Sequence, residues 1–145
     1  MARRASHAGP APRPVPLAQY IGVPFVDGGR ILAGCDCWGL VRLVLREQCL
    51  IELPDYGEIS ARDLARVTAT MRREADAEPW CPVEREQVRQ FDVVLMRGRP
   101  LHVGVMLSAA RVLHVEAKTG SVCVEVSHPS VHSRLLGFRR YQSLL

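Results

Sequence analysis

Nothing in this sequence stays apolar for the roughly 18 residues that crossing a bilayer takes, so no membrane-spanning helix is expected. The basic N-terminus leads into no apolar core, and a secretory signal peptide is therefore not expected either. Export would depend on something other than this chain's own leader. Cysteines are few and odd in number, five at positions 35, 37, 49, 81 and 123. Their irregular spacing is no disulfide framework and fits synthesis in a reducing compartment. Aromatic residues make up only 6 % of the chain and do not interleave with basic ones. The net charge of +4 is mild, and Arg3, Arg4 and Arg13 contribute to it from the first thirteen residues. Nucleic acid is accordingly not the expected partner. Internal repeats are also lacking.

What is present suits one soluble domain. The 145 residues are 48 % hydrophobic and 23 % charged, enough to bury a core without staples. Residues 1–16 (MARRASHAGPAPRPVP) hold almost nothing to bury and are expected as an extended Pro/Arg-rich arm, with 17–145 as the folded domain. Such an arm takes order only from a partner surface.

Leu17 to Phe25 reads as a short helical or irregular entry stopped by Gly22 and Pro24, followed by a glycine loop at Gly28-Gly29. From Asp36 the pattern changes. Leu40, Val41, Val44 and Leu45 recur at helix spacing, with Arg42, Arg46, Glu47 and Gln48 on the wet side. Asp36 is the expected N-cap and Gln48 the expected end of this central buried helix. Ile51 to Gly57 connects to a second helix over 61–75, opened by a Ser60/Asp63 capping box and carrying Leu64, Val67 and Met71 on one face. Pro79 and Pro82 break it, and 84–90 reads as loop or short turn.

The last third is β-like. Strands are expected over 91–96, 102–107, 111–116 and 122–126, with turns at 97–100 and 118–120 and a short edge strand over 135–141. Helices followed by antiparallel strands is an α+β pattern.

The helix start sets the sulfur of Cys37 among unpaired N–H groups at the positive end of a macrodipole, where thiolate is favoured over thiol. Thiolate is the reactive form. Two strand histidines bear on this. A three-residue loop (Ser108-Ala109-Ala110) would pair Leu107 with Arg111 and set His102 and His114 on one sheet face as diagonal neighbours. A two-residue loop would put them on opposite faces. On the first register Cys37 is a nucleophile, His102 its ion-pair partner and proton donor to the leaving amine, and His114 the group that fixes the tautomer of His102. The Cys37 N–H would help to hold an oxyanion.

In order along the chain, Tyr20-Ile21-Gly22-Val23-Pro24-Phe25, Gly28-Gly29 and Asp36-Cys37-Trp38-Gly39-Leu40-Val41 resemble the glycine-loop and nucleophile signature of the NlpC family. These are papain-like cell-wall cysteine peptidases. Phe91 to Leu95 with His102-Val103-Gly104-Val105 resembles the family's strand and catalytic-histidine segment, and His114 falls at its third polar position. The resemblance implies a papain-like α+β fold, a nucleophile-bearing N-terminal helix on an antiparallel sheet, and a Cys37-His102-His114 triad needing no cofactor. It implies cleavage of peptidoglycan stem peptides, typically at the D-glutamyl–diaminopimelate bond, with Tyr20, Phe25, Asp36 and Trp38 near substrate or oxyanion. Phe25 stands where many members carry a tyrosine, and Trp38 replaces the serine that often follows the nucleophile. Trp38, the Ile51-Glu52-Leu53-Pro54-Asp55-Tyr56 connector and the Leu136-Gly137-Phe138-Arg139-Arg140-Tyr141 ending are similar to bacteriophage tail-tip proteins. That implies synthesis in a bacterial cytoplasm, a place in a virion or phage-like particle, and tail proteins as partners of the arm. A structural tail-tip component with little or latent activity is the alternative.

Plainer readings apply elsewhere. Cys49 and Cys123 are expected to be inert core thiols. Cys35 is a neighbour of the nucleophile, Cys81 has no assignment, and His7, His128 and His132 read as surface residues. Cys35, Cys37, His102 and His114 form a possible zinc set, but a C-x-C pair is tighter than structural zinc sites use, so no metal is expected.

Overall fold

The computed structural model describes residues 15–55, 64–98 and 101–145. Residues 1–14 of the expected arm, the Ser60/Asp63 helix start and the Arg99-Pro100 part of a turn lie outside them. After a 3-10 turn at Leu17–Tyr20 the chain forms two minimal strands, β1 (Arg30–Ile31) and β2 (Gly34–Cys35), paired antiparallel inside the glycine loop. Helix α1 (Cys37–Cys49) follows at once, capped by Asp36 and closed by Leu50 in the left-handed region. Helix α2 covers Leu64–Ala75.

The remaining elements build one six-stranded antiparallel sheet. Its strands are β3 (Trp80–Val83), β4 (Val93–Met96), β5 (His102–Met106), β6 (Arg111–Glu116), β7 (Gly120–Glu125) and β8 (Leu135–Tyr141), with the short helix α3 (Pro129–His132) between the last two. The spatial order is β3-β8-β4-β5-β6-β7. Alternation along the strands sorts side chains to two faces. Val93, Leu95, Val103, Val105, Leu113 and Val115 meet Leu40, Val41, Val44 and Leu45 of α1. On the opposite face Val94, Met96, Met106 and Val112 meet Val126, Val131 and Phe138. Burying each such side chain is worth about 1.5–3 kcal/mol, which is why α1, apolar around most of its girth, sits against the sheet centre at β5 and β6.

Three expectations from sequence need correction. The segment 135–141 is no edge strand; β8 lies inside the sheet, between β3 and β4. The true edge is β3, where Pro82 was read only as a breaker: an outer strand tolerates the missing N–H that a central one would not. The strand expected from Phe91 starts at Val93, because Phe91 adopts φ 72° and Asp92 turns inward. Asp92, 0 % exposed, receives Arg140 in two bonds of 2.7 Å, Nε to Oδ1 and Nη2 to Oδ2, locking β8 to the entry of β4.

The far edge is partly closed by the entry segment. The Gly22 amide donates to the Ser121 carbonyl and the Ser121 amide to the Val23 carbonyl, each at 2.9 Å. Ser121 Oγ also bonds the Tyr20 carbonyl and accepts from the Val23 amide.

Arg140→Met leaves the Asp92 charge buried and unpaired. It is expected to lower stability by about 3–5 kcal/mol, read as a fall in the urea midpoint with the slope unchanged.

Candidate active site

The site begins with the carboxylate that caps its helix. Asp36 Oδ1 accepts from the Gly39 amide at 2.7 Å and from Arg30 Nη1 at 2.8 Å, while Oδ2 accepts from the Gly28 amide at 3.0 Å. One side chain thus caps α1 and ties the glycine loop to it. The approach is close enough to require glycine: a Cβ on Gly39 would stand 2.0 Å from the Gly29 carbonyl oxygen. Arg30 extends the clamp to Asp55, with Nε 3.0 Å from Oδ1 and Nη2 2.8 Å from the carbonyl. Trp38 Nε1 donates to the Pro54 carbonyl at 2.8 Å, so the 51–55 connector lies across the helix start.

Cys37 is half-buried at the first position of α1. The backbone N–H groups of Val103, Trp38 and Cys37 itself face its sulfur and favour its anion. That contact brings the thiol to the beginning of β5, one residue from His102. The hairpin register is the one a three-residue loop dictates: Val105 opposes Leu113, Met106 opposes Val112, and the Leu107 amide donates to the Arg111 carbonyl at 2.9 Å. Ser108 Oγ organises the loop by accepting from the amides of Ala110 and Arg111. His102 Nε2 and His114 Nδ1 consequently lie 2.9 Å apart. Gly104 leaves room for this, since a Cβ there would fall 2.8 Å from Val112 Cγ2 and 3.2 Å from His114 Cβ.

Protonation at rest differs from the sequence reading. The helix N-terminus was expected to favour thiolate, but burial pushes the Cys37 thiol up to about 11, and the Asp36 carboxylate adds to that. The three amides pull the other way and lose. Burial likewise draws His102 down to about 4, with Glu116 opposing and His114 and Arg134 reinforcing the fall. His114 is lowered for the same first reason. The resting pair is therefore a neutral thiol and a neutral imidazole rather than a thiolate–imidazolium pair.

Two residues that the sequence reading passed over complete the cluster. Glu116 Oε1 lies 3.3 Å from His114 Nδ1 and 3.7 Å from His102 Nε2, and Arg134 Nη2 lies 2.7 Å from that same oxygen. The signal for Glu116 was its spacing, since residues two apart in a strand share a face. Arg134 comes from beyond α3 and carried no local signal. Glu116 is held below the usual carboxylate range: burial acts to raise it, but the hydrogen bond and charge of Arg134, with the two histidines, outweigh that. His102, His114 and Glu116 could in principle hold a cation. The guanidinium bonded to the same Glu116 oxygen would repel a cation placed there.

The other expected site residues separate. Asp36 is structural, as described. Phe25 is exposed and bridges to Cys35, two residues before the thiol. Tyr20 is not at the site. It is 0 % exposed, with its hydroxyl donating to Glu47 at 2.9 Å and accepting from Gln48 near the far end of α1. Cys35 is buried, whereas Cys49 and Cys123 are half-buried rather than fully inside, as is Cys81. His128 and His132 are exposed. No described helix is long and apolar enough to cross a membrane.

A family profile described as the NlpC/P60 family matches residues 22–140. The murein DD-endopeptidase MepS/murein LD-carboxypeptidase of Escherichia coli K12 is 28 % identical over 130 residues, covering 87 % of this chain. The chain spans 60 % of that relative's length. Among solved structures, a lipoprotein-like NLP/P60 protein of Staphylococcus aureus superposes with TM-score 0.59 at 22 % identity, over 86 % of this chain and 38 % of its own. An NlpC/P60 family protein of Bacillus cereus gives 0.61 at 18 %, over 85 % and 37 %. The NlpC/p60 domain of the peptidoglycan hydrolase SagA gives 0.54 at 19 %, over 83 % and 88 %.

Two measurements check this geometry. With its thiol near 11, Cys37 should be carbamidomethylated by iodoacetamide at pH 7 at least about tenfold more slowly than free cysteine, as quantified by peptide mass mapping. Gly104→Ala should cost about 1–3 kcal/mol in denaturant unfolding and displace the ring signals of His114.

Proposed function

This chain belongs to the NlpC/P60 family, and from that premise we propose that it is a cysteine hydrolase of peptidoglycan stem peptides. The observation that carries the reading is the His102–His114 contact, together with the seating of Cys37 against β5 at Val103, the residue after His102. The Cys37 sulfur faces the amide of Val103, and the residue before it, His102, has its Nε2 2.9 Å from His114 Nδ1. His102 Nδ1 is then the nitrogen left for the thiol.

Cys37 Sγ attacks the peptide carbonyl carbon while His102 Nδ1 takes the thiol proton. Because both groups rest neutral, proton transfer accompanies the attack and no stored thiolate precedes it. The Cys37 N–H, at the start of α1, supports the oxyanion. Collapse breaks the C–N bond, and His102 returns the proton to the leaving amine. Water then attacks the thioester, giving one proton to His102 and releasing the carboxylate, and the sulfur recovers its hydrogen. His114 holds His102 in the tautomer this sequence of steps requires.

The bond proposed is of the D-glutamyl–diaminopimelate type, on the resemblance of the glycine-loop and nucleophile segments. Trp38 and Phe25 would shape how the stem peptide is gripped. The setting proposed is a phage tail tip, with other tail proteins as partners of the arm. Its support is the Trp after the nucleophile, the 51–56 connector and the 136–141 ending. The neutral resting pair also favours a second reading, a tail-tip structural component whose hydrolase activity is latent until substrate fills the site.

Cys37→Ala is expected to abolish cleavage of purified muropeptides while leaving the thermal unfolding midpoint within a few degrees of the parent. Product masses distinguish a D-glutamyl–diaminopimelate cut from the DD and LD cuts named for the E. coli relative. Equal cleavage by variant and parent would end the proposal.

A further inference from the structure

His102 must carry positive charge at one moment of the proposed reaction, and its surroundings are poor for that. It is 9 % exposed, and burial already opposes the charged form. When Nδ1 takes the thiol proton, both ring nitrogens bear hydrogen, so Nε2–H must point at His114 Nδ1, 2.9 Å away, and His114 must accept there. His114 then carries its own hydrogen on Nε2, a buried atom with no hydrogen-bond partner among the described residues. The histidine pair therefore cannot pass the charge onward through that atom. A counter-charge has to come from the side of the shared hydrogen.

The Glu116 carboxylate is there, its Oε1 3.7 Å from His102 Nε2 and 3.3 Å from His114 Nδ1. Arg134 fixes that oxygen from behind at 2.7 Å, and is itself anchored by Nε to the Ser130 carbonyl at 2.8 Å. Its own carbonyl accepts from the Arg97 amide at 2.7 Å. Resting on the hydrolase reading above, we propose that Glu116, clamped by Arg134, is a positioning residue that supplies the counter-charge for the imidazolium formed on the His102–His114 pair. Glu116 acts through His102 and touches neither substrate nor sulfur. Arg134 sets both its place and the strength of its field, since guanidinium and carboxylate act on the same imidazoles with opposite sign. The other charged or titratable group that acts on this pair is His128, ahead of α3, and on the proposed mechanism the Cys37 thiol faces His102 as well.

The opposition of signs makes the test. Glu116→Gln removes the negative charge with little change of shape, so the histidine pair should titrate at lower pH than in the parent. The acid limb of kcat/KM for muropeptide cleavage should move down with it. Arg134→Met removes the positive charge, and both should move up. In Glu116→Gln kcat should fall about tenfold, a barrier change of about 1.4 kcal/mol, with KM nearly unchanged. Ring titrations by NMR on the full-length, 13C-histidine-labelled chain read the first effect without any substrate. They therefore decide the proposal even where Cys37→Ala has refuted the hydrolase reading. Shifts in opposite directions support the proposal. Unchanged midpoints in both variants, or shifts of one sign, would show Glu116 and Arg134 to be structural and overturn it, whatever happens to kcat.

Discussion

Three donors converge on the carboxylate of Asp36: the amide of Gly39 in the helix, the amide of Gly28 in the glycine loop, and the guanidinium of Arg30. Through Arg30 the same cluster reaches Asp55 in the connector. Without that carboxylate the first turn of α1 would have an unanswered amide, and loop and helix would have no common anchor. The sulfur one residue later is placed by this clamp as surely as by its own bonds. The clamp works against ionisation, however, because an anion beside a buried thiol makes thiolate harder to form. Asp36 thus adds to what burial already does in keeping the Cys37 thiol protonated, and on the proposed mechanism its activation falls to His102 and His114.

Those histidines illustrate what a sequence can reveal. The spacing between His102 and His114, with turn residues Ser108 to Ala110 between them, allowed two registers with opposite consequences. The structure adopts the one that joins them, and Ser108 Oγ shows why the three-residue loop is preferred. Helix α1 was legible from its cap and its apolar spacing, because local chemistry and burial agreed there. The order of strands was not. That β8 runs between β3 and β4 follows from the long-range Asp92–Arg140 pair and from Phe138 meeting the second core, neither of which leaves a periodic trace. Tyr20 shows the opposite failure: its motif position suggested substrate, yet burial against Glu47 and Gln48 makes it a support for the helix's far end. Glu116 was legible by alternation alone, whereas Arg134 was not, since α3 carries it in from outside the hairpin.

Sharing a fold at 18–22 % identity with the solved NlpC/P60 proteins means that few individual contacts need be common to them. What the described residues of this chain display is an economy of polar groups. The buried Asp92 is answered by Arg140, and the half-buried Asp36 and Glu116 by Arg30 with two amides and by Arg134. The exception is the His114 Nε2 atom, and it lies in the cluster where protons are proposed to move. Unanswered polarity next to a chemical centre is the common place for a fold to tolerate local cost.

The two margins of the six-stranded sheet are finished differently. On one side the Gly22–Val23 segment exchanges amide bonds with Ser121 and so occupies the first part of β7. On the other, β3 is four residues long and carries Pro82, which has no N–H to offer a neighbour. Neither margin offers a second chain an uninterrupted ladder to extend. Folded copies of this domain packed at high local concentration would therefore resist the strand-by-strand growth that turns open sheets into fibres.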